Sequence, residues 1–236
     1  YTTGNTLSLH DALPIWASTP EADRELTAEL LAEVAERGVP AVRVWTPHRQ
    51  VAFGRRDSHA DDYEGAKAAA EERGYPAIER SVGGRAVAYT GETTLAFATA
   101  VPVDDLRRGL DRRYEAATTT VLDALRDLGV VARRGEPDES FCPGAHSVQR
   151  DGKLAGIAQR VTSGSALVSG CVLVAEREEL VGVLDLVYTA LDVPFDPDSV
   201  GTVADAGGPD DPEDVARAIE RAFVGDDKMD VEHIDE

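Results

Sequence analysis

No stretch of this chain limits its fold as tightly as residues 145–174, which read strand, turn, strand, turn, strand. The strands cover residues 145–149, 154–161 and 166–174, and they are joined at Asp151-Gly152 and Ser163-Gly164. Asp-Gly is a strong hairpin signal, because the tightest reversals need positive φ at their central positions. The turn sets Lys153 at the start of the middle strand. It also puts Lys153 beside residues 135–143, which Gly135, Pro137, Asp138 and Pro143 keep from regular structure.

The flanking sequence supplies helices and further short strands. Thr19-Pro20 starts a helix, with threonine as N-cap and proline at the first position. Leu26, Leu30 and Val34 fall on one of its faces, and Gly38 with Pro40 stops it. Strands are expected over residues 39–46 and 50–54 around a turn at Pro47, then over 76–80, 85–89 and 94–101, with a short helix over 61–73. A long helix over residues 104–128 lines up Leu106, Leu110, Tyr114, Val121, Leu125 and Leu128 and ends at Gly129. Two more helices are expected over residues 176–191 and 211–223. There is no repeat and no regular βαβ alternation. The expected architecture is therefore α+β, a single domain whose mixed or antiparallel β-sheet is flanked by helices. A chain of 236 residues, 42% of them apolar, is long enough to bury one sizeable core.

Charge narrows the function classes. The formal net charge is -20, with 44 acidic against 24 basic residues. Such a surface repels phosphates, which argues against nucleic acid as a partner. Acid excess with few lysines resembles the composition of proteins from salt-loving archaea. Concentrated salt suppresses the self-repulsion of such a chain, so folding and activity are expected to need it. Two cysteines make no disulfide or metal framework, and reduced thiols fit a cytoplasmic protein. No apolar run is long enough to span a membrane. Residues 1–15 stand apart: the stretch 6–15 resembles one translated reading frame of a common short-read sequencing adapter. They are set aside as an artefact, His10 and Asp11 receive no catalytic role, and the native start need not be present. The domain is then expected over residues 16–224, followed by an acidic, disordered tail over 225–236.

Two residues carry the chemical interest. Cys142 lies in Ser140-Phe141-Cys142-Pro143-Gly144, and Lys153 follows Gly152. A thiolate can hold an acyl group as a thioester, and an ammonium can position its carbonyl. Lys67, Lys153 and Lys228 are the only lysines among 24 basic residues, so Lys153 is a candidate for a task that needs an amine. The bland alternatives are a cysteine buried as a small hydrophobe and a lysine on a solvated turn. An ionised thiol implies a nearby cation, for which Lys153, Arg80 and, more weakly, His146 are candidates. Gly83-Gly84, between Arg80 and Arg85, lets backbone N–H groups approach a carbonyl or phosphate, although a glycine pair also makes an ordinary turn. It forms no Walker A or Gly-x-Gly-x-x-Gly pattern. Cys171 and Trp45 read as core. His48, His59 and His146 lack metal-ligand spacing, so no metal site is expected, and the acidic runs read as solvated surface.

Several motifs share one order. They are Arg43-Val44-Trp45, Phe53-Gly54-Arg55-Arg56-Asp57, the run Arg80-Ser81-Val82-Gly83-Gly84-Arg85-Ala86-Val87, Phe141-Cys142-Pro143-Gly144, and the stretch 152–160. Over residues 20–200 they resemble the lipoate–protein ligase A/B family, most of all its octanoyl-carrier amidotransferase branch. The resemblance implies a fold like those of class II aminoacyl-tRNA synthetases and biotin synthetases. It implies Cys142 and Lys153 as catalytic residues. It implies Arg80, Ser81, Val82, Gly83, Gly84, Arg85, Ala86, Val87, Gly156, Ile157 and Ala158 as substrate-binding, with Arg85 turned toward a partner protein. The implied reaction moves an octanoyl or lipoyl group through a Cys142 thioester to a lysine of a lipoyl domain, and requires no cofactor. Implied partners are lipoyl domains of 2-oxoacid dehydrogenase E2 subunits and the glycine-cleavage H protein, with acyl carrier protein as another possible donor. Two other readings stay open. One is an ATP- and Mg-dependent lipoate ligase in which Lys153 orients an acyl-adenylate; the other is a non-catalytic module that binds acylated carriers. Tyr89-Thr90 stands where ligases commonly have His-Asp, and Arg85 where their loop carries a third glycine. Both departures weigh against ligation more than against acyl binding.

Overall fold

The computed structural model describes residues 19–80, 84–105 and 107–225. The adapter-like stretch, Ser81, Val82, Gly83, Leu106 and the tail beyond Gly225 lie outside the described residues.

Helix α1 spans Pro20–Arg37. The Thr19 hydroxyl accepts from the Ala22 N–H at 3.1 Å, and Gly38 closes the far end in a left-handed conformation, φ 69°. Its buried face differs from the expected one. Asp23, Leu31 and Val34 are buried, whereas Leu26 and Leu30 are only half-buried. Leu31 and Val34, with Leu30 beside them, pack with Ala98, Ala100 and Leu167, and on the same helix Asp23 Oδ1 accepts from Arg43 Nη2 at 2.6 Å inside the protein.

The remaining elements follow in chain order as β1 (Ala41–Trp45), β2 (Gln50–Phe53), α2 (Tyr63–Glu72), β3 (Ala77–Glu79), β4 (Val87–Tyr89) and β5 (Thr94–Pro102). Then come α3 (Leu110–Asp127), β6 (Arg133–Arg134), β7 (Ser147–Gln149), β8 (Lys153–Val161), β9 (Ser165–Leu173), α4 (Arg177–Ala190) and α5 (Pro212–Val224). Strand β6 was not expected. Helix α3 starts at Leu110 instead of residue 104, because Gly109 sits at φ 75° and interrupts the run.

The α+β architecture stands, but the strands divide between two sheets. The large one is antiparallel throughout, in the order β1-β5-β9-β8-β7-β6. The small one runs β3-β2-β4, with β2 parallel to β3 and antiparallel to β4. The turn at Pro47 thus carries the chain from one sheet to the other; β1 and β2 do not pair. One core cluster packs the small sheet and β9 against α2 and α4, through Phe53, Val87, Cys171, Leu184 and Tyr188. A second packs the large sheet against α3 and α5, through Phe97, Val121, Leu154, Val172 and Ile219. No helix among the described residues is long and apolar enough to cross a membrane.

Candidate active site

Arg80 follows β3, Gly84 and Arg85 precede β4, Cys142 lies between β6 and β7, and Lys153 opens β8. The fold brings all five together. Phe141, buried in the first core cluster, anchors the cysteine segment, and Cys142 and Tyr89 pack against the same cluster.

The sulfur faces two donors. Arg80 Nη2 lies 3.2 Å from Cys142 Sγ, and the Arg85 main-chain N–H points to it at 3.4 Å. Both stabilise negative charge on sulfur. Arg80 Nη2 also donates to Arg85 O at 2.5 Å, and its Nε is buried with no partner among the described residues. Burial works against the Arg80 charge, but Cys142 and Tyr89 offset it and hold the guanidinium above the usual arginine range.

Glycine is required where these segments touch. Gly84 has φ +96°, and a methyl group on it would sit 2.9 Å from Cys142 Sγ. A methyl group on Gly54 would lie 2.2 Å from Gly84 O. The second glycine of the expected loop therefore makes room for the sulfur itself.

Cys142 is a non-glycine residue at φ 40°. Its N–H donates to Tyr188 Oη at 2.6 Å, and the Tyr188 hydroxyl donates to Ala86 O at 3.0 Å. One phenol on α4 thus ties the cysteine segment to the glycine loop. Burial raises the Tyr188 pKa, so the phenol stays neutral and keeps its proton for Ala86.

Lys153 is 1% exposed, so the solvated-turn reading fails. Its ammonium is directed at the main chain of the cysteine segment instead of the sulfur. Nζ donates to Phe141 O and Cys142 O, each at 3.0 Å, and pairs with Glu136 Oε1 at 2.9 Å. The cation beside the sulfur is Arg80. His146 is not the alternative: its ring stacks on Tyr114, with centroids 3.7 Å apart and planes 8° from parallel.

The Arg85 side chain is 26% exposed and is held from within the protein. Its side chain pairs with Asp57 Oδ1 at 3.3 Å, and Asp57 is fully buried and accepts from the Gly54 N–H at 2.8 Å. Burial raises the Asp57 pKa against those two partners. Ala86 and Val87 are buried close by, and Gly156 is half-buried beside the Lys153 stem. Ile157 packs on the second core cluster and Ala158 is exposed, so neither joins this group. Ser81, Val82 and Gly83 lie outside the described residues. Cys171 is buried and belongs to the core, as expected. A cavity of about 210 Å³ opens beyond Arg80, lined by Phe53, Gly54, Arg55, Ser58, Tyr63 and Glu79.

Sequence reasoning missed Glu136, Tyr188 and Asp57. Glu136 carried a weak signal, an acid between Gly135 and Pro137; Asp57 lay within a motif already singled out. Tyr188 carried none, being one apolar position of a helix.

The family described as the lipoyl protein ligase A/B catalytic domain matches residues 19–224. The lipoyl-[GcvH]:protein N-lipoyltransferase of Listeria monocytogenes is 33% identical over 136 residues, covering 56% of this chain and 48% of that protein. The octanoyl-[GcvH]:protein N-octanoyltransferase of Anoxybacillus flavithermus is 35% identical over 132 residues, covering 55% and 46%. The chain spans about half the length of the curated relatives it matches. Among solved structures, a lipoate-protein ligase A bound with ATP superposes with a TM-score of 0.62 at 23% identity, over 84% of this chain and 79% of that one. A bipartite lipoate protein ligase from Thermoplasma acidophilum, solved with its E2 lipoyl domain, gives 0.59 at 19% identity, over 85% and 78%. These two likenesses establish the fold. This chain belongs to the lipoyl protein ligase A/B catalytic-domain family.

Proposed function

We propose that the protein is an acyltransferase that moves an octanoyl or lipoyl group onto a lysine of lipoyl domains through a thioester on Cys142. The observation that carries this reading is the placement of Cys142 Sγ between the Arg80 guanidinium and the Arg85 N–H, with Cys142 packed against the buried apolar cluster that includes Phe141, Ala86 and Val87. The sulfur attacks the donor's acyl carbonyl, and the C–S bond forms as the oxygen takes up negative charge. Arg80 and the Arg85 N–H, the donors beside the sulfur, are the groups that would stabilise that charge. Collapse breaks the donor's C–N or C–S bond, and the leaving amine or thiol takes a proton. An acceptor lysine amine then attacks the thioester, the C–S bond breaks, and an amide and the free thiol result. Lys153 holds the main chain of the cysteine segment through Phe141 O and Cys142 O, and so acts by keeping the sulfur in place.

The overall exchange of amide for amide or thioester for amide needs no ATP and no other cofactor. The donor on this reading is acylated glycine-cleavage H protein or acyl carrier protein, and the acceptors are E2 lipoyl domains and H protein. Reduced cysteines and the acidic surface fit action in a cytoplasm rich in salt. The test is a reaction at molar KCl with octanoyl-loaded H protein and an unmodified lipoyl domain, without nucleotide. Octanoylated lipoyl domain is the expected product. Transfer only from free lipoate with ATP, with pyrophosphate released, would replace this reading with a ligase. Binding of loaded carrier without transfer would reduce it to a docking module.

A further inference from the structure

Glu136 lies in the connection between β6 and β7, and its carboxylate binds three groups around the cysteine segment: Lys153 on β8, Gly144 in the segment itself and Ser147 on β7. Oε1 takes the Lys153 ammonium at 2.9 Å; Oε2 accepts from the Gly144 N–H at 3.1 Å and from the Ser147 hydroxyl. The ammonium's other bonds go to Phe141 O and Cys142 O. An ammonium has three hydrogens, so Lys153 is saturated, and among the described residues Glu136 is the one carboxylate paired with it. The segment therefore has two braces with one origin. Lys153 grips its main chain just before Pro143, and Glu136 grips it directly just after.

We infer that Glu136 is a positioning residue for the nucleophile. It fixes Lys153 and Gly144, and through them presents Cys142 Sγ to Arg80 and the Arg85 N–H. The backbone at Cys142 makes such bracing necessary. At φ 40° a residue with a side chain relaxes toward negative φ unless its neighbours hold it, and that rotation would swing the sulfur out from between its two donors. The side chain of Lys153 is 2% exposed, so its charge has no water to turn to when Glu136 is lost. The catalytic part of this inference rests on the acyl-transfer reading; the structural part does not.

Glu136→Gln removes the charge and one of the two acceptors. The amide oxygen still accepts from Gly144, while the NH2 that replaces Oε1 cannot accept from Lys153, so that brace alone is lost. Hydrogen exchange at the Cys142 and Gly144 amides is measured at molar KCl, alongside single-turnover acyl loading from octanoyl-loaded H protein. Exchange at Cys142 is expected to quicken at least tenfold, with core strand β9 unchanged. Loading should slow at least tenfold, while the carrier concentration giving half-maximal rate stays within twofold. If Glu136→Gln melts below the assay temperature, the pair Glu136→Gln with Lys153→Met removes both charges and carries the exchange measurement. Exchange and loading both unchanged in Glu136→Gln would overturn the inference. Quickened exchange in a protein whose parent form loads no acyl group would leave the brace standing and remove the acyl-transfer reading alone.

Discussion

The Lys153 ammonium sits 3.0 Å from the carbonyl oxygen of Cys142, on the main-chain side of a residue whose sulfur faces Arg80 at 3.2 Å. The two residues that first suggest acyl chemistry in the sequence are therefore coupled through the backbone. Lysine and sulfur do not touch as a catalytic pair. Lysine sets where the sulfur is, and Arg80 sets its electrostatic surroundings.

Replacing Lys153 tests that division of labour. Lys153→Met leaves two carbonyls and Glu136 short of a donor. Glu136 keeps Gly144, Ser147 and some exposure, so a loss of about 1–3 kcal/mol is expected in urea unfolding at high salt. Lys153→Arg keeps the charge but must fit a larger planar group into a buried slot, an overpacking cost of about 1–3 kcal/mol. Stability equal to the parent in both variants would show that Lys153 does not hold the loop.

Tyr188→Phe deletes a single oxygen at the junction of α4, the glycine loop and the cysteine segment. It strands the Cys142 N–H and Ala86 O, both of which it now serves. The expected loss is about 1–3 kcal/mol in the same unfolding assay. Acyl loading should slow as well, because the Cys142 backbone is released. A variant with parent-like stability and loading would mean that water replaces the phenol without cost.

The two cysteines should differ sharply toward alkylating reagents. Cys142 is only partly buried, whereas Cys171 is buried, with burial pushing the Cys171 thiol up. Intact mass after brief iodoacetamide treatment at pH 8 should show one adduct, at Cys142, and a second only in urea. Cys171 also makes stability depend on alkaline pH. Because its folded pKa is raised, its contribution is complete below the ordinary thiol value and is lost as pH climbs toward the folded one. Stability should fall from about pH 8.5 upward, and Cys171→Ala should flatten part of that slope. Equal labelling of both thiols in the folded protein would contradict this placement.

With a net charge of -20, the stability of this fold is expected to depend on salt. At about 1 M salt the Debye length is roughly 3 Å, so repulsion between surface carboxylates is nearly confined to contact. The melting midpoint should rise steadily between 0.1 and 3 M KCl. A midpoint that is flat over that range would show that the acidic surface is not an adaptation to salt.

Much of the fold was legible because its signals are local. Thr19, Pro20 and Gly38 bound α1 as written, and Asp151-Gly152 turns β7 into β8, with both residues at positive φ. What stayed hidden depends on long-range partners. Nothing near Pro47 shows that β1 pairs with β5 while β2 pairs with β4, since both pairings satisfy the same apolar pattern. The buried face of α1 takes in Asp23 and Leu31 beside the expected Val34, because it packs on Ala98, Ala100 and Leu167, far away in sequence, and pairs with Arg43. In the site, Cys142, Lys153, Arg80 and Gly84 were visible as unusual residues in unusual places. Glu136 and Tyr188 were not, because an acid in a loop and a tyrosine in a helix look the same whether or not a loop folds back onto them.

The central claim is a covalent acyl group on Cys142. The direct measurement is intact mass of the protein after incubation with octanoyl-loaded H protein at molar KCl, before any acceptor is added. The account predicts one octanoyl adduct that hydroxylamine removes and that Cys142→Ser does not form. Acyl transfer to an acceptor lipoyl domain by Cys142→Ser at the parent rate, with no adduct on the parent protein, would contradict it.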